Sequence, residues 1–166
     1  MNRELLIEVL KQSEQLEETA SWFYLKLSRK YTEHNDFWLE FYIEEKKHAA
    51  IYRAFIDEEI PLTLFPEEIV DTDLDRLRKN KSDIQHALDH FDEKFINREK
   101  AYCFALEIEQ LAGEKIFNEA MDKESDSEAL QLIQKINKDD KDHIARITSL
   151  MNSQKKVIIK RRKLQD

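Results

Sequence analysis

The chain has 166 residues, enough for one domain with its own core. One Gly, two Pro and 37% charged residues leave little room for the tight turns of an all-β fold, so a few long helices are expected. A net charge of −8 argues against general nucleic-acid binding, and a single cysteine, Cys103, excludes an internal disulfide and a thiolate metal cage.

Apolar periodicity predicts a first helix from Arg3 to Glu33, closed by the polar run "TEHND". A second starts after Asn35, a good N-cap, and runs to Glu59. Pro61 and Pro66 bracket an apolar connector that cannot be helical throughout, followed by a short helix in "DTDLDRLRKN". Ser82 and Gln85 suggest a capping box for a third helix reaching Asp122, and Ser125 with Glu128 another for the fourth. The last fifteen residues carry six Lys/Arg against one Asp, leaving −13 on the rest, and read as a solvated helix end. No apolar run is long enough for a membrane span and the N-terminus lacks a signal-peptide core, so a cytoplasmic protein is expected.

Short links should make helices one and two, and three and four, antiparallel pairs, joined by a long crossover. Spacings of three and four give each helix one inward stripe. They run from Leu6 through Glu17 to Tyr31, from Trp38 through Glu45 and His48 to Phe55, from Phe91 through Glu109 to Ala120, and from Ile133 through Asp140 and His143 to Ile147. Each stripe carries an acid near its middle, and the second and fourth add a histidine three residues on. The spacing also repeats: Glu17 precedes Glu45 by 28 residues, and Glu109 precedes Asp140 by 31.

Four ionised carboxylates facing one core are costly unless neutralised, and the stripes contain only Arg98 as a fixed cation. Two divalent ions balance them charge for charge. Residues at i and i+3 share a helix face, so Glu45 with His48, and Asp140 with His143, can each reach one ion. Mostly carboxylate ligands with one imidazole per ion suit iron, with manganese as the alternative. Glu18, Glu107 and Asp139 compete with Glu17, Glu109 and Asp140, but fit the inward stripes less well. Tyr24, Tyr42 and Tyr102 read as core aromatics, Gly113 as a packing residue, His34 as a loop residue, His86 and His90 as surface, and Cys103 as a small core residue.

The order Glu17, Glu45-Lys-Lys-His48, Glu109 and Asp140-Lys-Asp-His143 resembles the ferritin-like di-iron carboxylate proteins, particularly the rubrerythrin branch. The contexts "LEETASWFY", "IEEKKHAAIY" and "ALEIEQLAGEKIF" are similar too, and the resemblance covers essentially the whole chain. It implies an all-α, up-down-down-up four-helix bundle over residues 1–151, with 152–166 as a basic C-terminal helix extension or tail. It also implies a non-haem di-iron oxidoreductase that reduces hydrogen peroxide or dioxygen. The resemblance then implies that electrons come from an external donor protein, because no rubredoxin-type CxxC pair is present. A homodimer is a compatible assembly. Two departures stand out: Asp140 replaces the usual Glu, and Ala112 stands where rubrerythrins commonly carry another acid. Ferroxidase or iron-handling activity, and hydroxylation of an organic substrate by a similar bundle, are the alternative functions.

Overall fold

A computed structural model describes residues 3–57, 60–64, 73–95, 97–112 and 127–162, with side chains left out at 111–112 and 155–162. All regular structure among them is helical. The helices are α1 (Arg3–Lys30), α2 (Asn35–Ile56), α3 (Leu74–Asp89), α4 (Phe91–Lys94), α5 (Arg98–Ala112) and α6 (Glu128–Arg162). None is long and apolar enough to cross a membrane among the described residues.

The expected third helix is replaced by three elements. Its start lies at Asp73, whose side chain accepts the Arg76 N–H at 3.0 Å, so Ser82 falls inside α3 and caps nothing. Its continuity ends at His90 and again at Phe95, both outside helical geometry. Asn97 then accepts the Glu99 N–H at 2.8 Å and opens α5. At α6 the hydroxyl of Ser127 accepts the Leu130 N–H at 3.4 Å, so Glu128 is the first helical residue. Ser125, Pro66, Gly113 and residues 65–72 of the crossover lie outside the described residues. The helix α6 runs past position 152 without a break.

Residue contacts fix the directions. Tyr31, at the end of α1, donates to the Phe95 carbonyl at 2.8 Å, and Tyr24 reaches Ala105 and Glu109, so α5 runs opposite to α1. His143 lies against Phe41 and Gln154 against His34, so α6 runs opposite to α2. The α1–α2 pair has the most extensive packing.

Two apolar clusters flank the middle of these helices. Tyr24, Trp38, Phe41 and Tyr102 anchor one; Leu6, Leu10, Phe55, Ile133 and Ile136 form the other. The helix α1 is buried on a second face as well. Val9, Leu16 and Phe23, seven residues apart, meet Leu77, Ile84 and Leu88 of α3 within the same core. Phe23 stacks edge-on against Phe91, Phe95 and Phe104 at 5.2–5.5 Å between centroids, a favoured arrangement for aromatic quadrupoles.

Candidate metal centre

Between the two clusters the inward stripes meet at polar residues. Glu17, Glu45, His48, Glu109, Asp140 and His143 are all buried, none more than 6% exposed. They form two groups of converging ligand atoms: Glu17, Glu45 and His48, and Glu45, Glu109 and His143. Glu45 belongs to both. Asp140 adds an oxygen 3.8 Å from the Nδ1 atom of His48.

The competing acids sit elsewhere. Glu18 turns aside to Lys46, at 2.6 Å, and Glu107 is exposed. Asp139 is two-thirds buried and lies on the outer edge of His48, with Oδ2 3.3 Å from Nε2. Arg98 lies at the start of α5, partly exposed and paired with Glu33 at 2.5 Å, so it does not serve the centre. Cys103 is exposed rather than in the core, because it lies off the stripe of Tyr102 and Ala105. His86 and His90 are exposed, as expected of surface residues.

The two imidazoles are oriented alike. Each turns Nδ1 inward: that of His48 lies 3.1 Å from Glu45, and that of His143 lies 3.1 Å from both Glu45 and Glu109. Each turns Nε2 outward to an acid. His48 meets Asp139, and His143 meets Glu44 at 2.9 Å. Glu44 is in turn held by Arg146 at 2.9 Å, and Arg146 also bonds Glu40 at 2.8 Å and covers the Phe41 ring. Periodicity alone missed Glu44 and weighed Asp139 only as a rival ligand to Asp140, because each immediately precedes an inward acid and lies about 100° off the stripe. Their signal was local: an acidic pair, Glu44-Glu45 and Asp139-Asp140, heads each acid–x–x–His element.

Electrostatics shows how the chain carries this acidity on protons. Burial pushes Glu17 well above the usual carboxylate range, and the charge of Glu45 adds to it. Burial raises Asp140 and Glu109 as well, helped by neighbouring carboxylates. Glu45 goes the other way: burial raises it, but the two imidazoles beside it outweigh that and hold it below the usual range. Burial pulls both histidines down, yet the bond to Glu45 pushes His48 up to about 9, and the bond to Glu109 with the nearby charge of Glu45 pushes His143 up to about 11. Tyr24 donates its hydroxyl to Glu109, in a short contact.

This donor set fits a metal better than it fits protons. Oε1 of Glu45 is buried without a hydrogen bond, since the Nδ1 proton 3.1 Å away is directed to Glu109. Buried carboxylate oxygens of this kind are costly unless a cation satisfies them. An outward Nε2–H held by a carboxylate leaves the inward Nδ1 lone pair free to ligate, the usual second partner of a metal-bound histidine. The centre thus combines four carboxylates with two pre-oriented imidazoles, a hard oxygen-rich set with borderline nitrogen. Such groups can hold a metal ion. Comparison of the chain with protein-family models, curated proteins and solved structures finds no match.

Proposed function

We propose that the chain is a rubrerythrin-like member of the ferritin-like di-iron carboxylate superfamily, reducing hydrogen peroxide or dioxygen with electrons from an external donor protein. The observation that carries this reading is the convergence of two buried carboxylate–imidazole groups on a shared Glu45. The directions of α1, α2, α5 and α6 agree with the up-down-down-up bundle of that superfamily, with α3 and α4 as additions in the crossover.

In this reading Glu17, Glu45 and His48, with Asp140, hold one ion, and Glu45, Glu109 and His143 hold the other. Two iron ions would supply the two electrons that an O–O bond takes up on reduction; manganese is the alternative. The chain's own work is to orient and to shield. Asp139 and Glu44 fix the tautomers of His48 and His143. Tyr24 holds one oxygen of Glu109, which limits how that carboxylate can swing. The aromatic cluster of Trp38, Phe41 and Tyr102 keeps bulk water from one end.

The test is metal analysis of protein expressed with ample iron, followed by peroxide titration of the reduced form. Two iron ions per chain, and consumption of peroxide faster than by the same concentration of free ferrous iron, are expected. A chain that binds no iron, or reacts more slowly than free iron, overturns the reading.

A further inference from the structure

The helix α3 bears no ligand, yet it reaches the centre. A small internal cavity lies over the four carboxylates, with Leu16 and Ala20 of α1, Ile108 of α5 and Ile84 of α3 as its walls. It offers about 10 Å³ to the centre of a water-sized sphere, the least that can hold one water-sized molecule. Ile84 is 1% exposed, and its side chain is the part of α3 that closes this space.

We propose that Ile84 is a specificity-determining residue: it limits what reaches the carboxylates to an uncharged oxidant of about two heavy atoms, and shuts out organic hydroperoxides and organic substrates. This rests on the function proposed above and narrows it. The cavity is too small for a carbon skeleton, and apart from the four carboxylates its lining is hydrocarbon, so only the carboxylates themselves offer a polar grip. Ile84 is the wall of this cavity that comes from outside the ligand-bearing helices, since α3 lies in the crossover. Position 84 can change without touching a ligand.

The experiment has two arms. In the first, metal-free protein is placed under xenon pressure and the methyl signals of Leu16 and Ile108 are followed by NMR. The wild-type signals should not move, while Ile84→Ala, which loses three carbons from one wall, should show saturable shifts, as apolar cavities take up xenon. Ile84→Val makes the same comparison with a smaller loss if the alanine variant does not fold. Equal response of wild type and variants overturns the proposal. In the second arm, reduced iron-loaded protein is mixed with hydrogen peroxide or cumene hydroperoxide. The wild type should favour hydrogen peroxide, and removing part of Ile84 should lower that preference by about tenfold or more, the scale at which a pocket discriminates a few methylenes. A preference unchanged within about twofold, in a protein that binds and oxidises its iron, overturns Ile84 as the filter and leaves the proposed function standing. A wild-type chain without iron sinks that function instead, and the xenon arm then decides the cavity by itself.

Discussion

Asp139 and Asp140, neighbours in sequence, stand at opposite edges of one imidazole: Asp139 lies 3.3 Å from Nε2 of His48, and Asp140 lies 3.8 Å from Nδ1. The pair separates two tasks, holding the ring and facing the candidate metal centre. Their substitutions should therefore fail differently. Asp140→Asn should lower metal stoichiometry from about two per chain toward one, whereas Asp139→Asn should keep it and weaken affinity about 10- to 100-fold. Calorimetric titration with ferrous or manganous ion distinguishes the two, and identical behaviour would remove the division of labour.

Glu44 stands to His143 as Asp139 stands to His48, but Arg146 holds it from behind. Glu44→Gln should weaken one of the two metal steps by about 10- to 100-fold. Arg146→Met should have a smaller effect of the same sign, because Glu44 then keeps its place with one restraint fewer. A metal titration in which Arg146→Met is the worse variant contradicts this order.

Without metal, stability should fall as pH rises. Glu17, Glu109 and Asp140 bind protons more tightly folded than unfolded, as do His48, up to about 9, and His143, up to about 11. The folded state holds the extra protons, so each group's contribution is complete below its unfolded value and lost as pH climbs through its folded one. For the histidines that window opens near pH ~6.5 and extends through about 9 and about 11. Glu45, held low, acts oppositely and only in acid. The urea midpoint of metal-free protein should drop steadily from pH 6 to pH 10. Saturating metal, which displaces the same protons, should flatten or reverse the trend.

Tyr24→Phe removes the hydroxyl that donates to Glu109 and leaves a buried carboxylate short of a donor. A loss of about 1–3 kcal/mol is expected in metal-free protein from urea unfolding. The loss should shrink once metal takes up that oxygen. A variant as stable as wild type without metal would mean that Glu109 finds another donor.

Phe23 faces α3 and the Phe91–Phe95–Phe104 group rather than the centre. Phe23→Ala should cost about 3–5 kcal/mol of stability while leaving metal stoichiometry unchanged in the folded fraction. Denaturation and metal analysis on one preparation check both halves.

The inward acids and histidines were legible because a single period of 3.6 residues governs where side chains on a long helix point. Glu17 was separable from Glu18, and Glu109 from Glu107, on that ground alone. The second buried face of α1 was written just as plainly, in Val9, Leu16 and Phe23, but a reading that assigned one stripe per helix had no place for it. That omission hid the extent of α3, whose apolar face is Leu77, Ile84 and Leu88: its first half was expected as the short helix in "DTDLDRLRKN", and its second half went to the next helix because Ser82 imitated a cap. The breaks at His90 and Phe95 carry no Gly or Pro, and tertiary packing of Phe91 and Phe95 against Phe23 accounts for them better than local propensity does. Glu44 was overlooked, and Asp139 weighed only as a rival to Asp140, because their role depends on the edge of a ring, which periodicity does not describe.

One ligand group, Glu17, Glu45 and His48, is drawn from a single helical hairpin, while the other, Glu45, Glu109 and His143, needs three helices from both ends of the chain. The two halves of the centre therefore close over very different loops, and closing the longer one costs more chain entropy. On a growing polypeptide Glu17, Glu45 and His48 are all present by residue 48, whereas Glu109, Asp140 and His143 follow much later. Glu45, early in the chain, is then the joint to which the later Glu109, Asp140 and His143 must be brought.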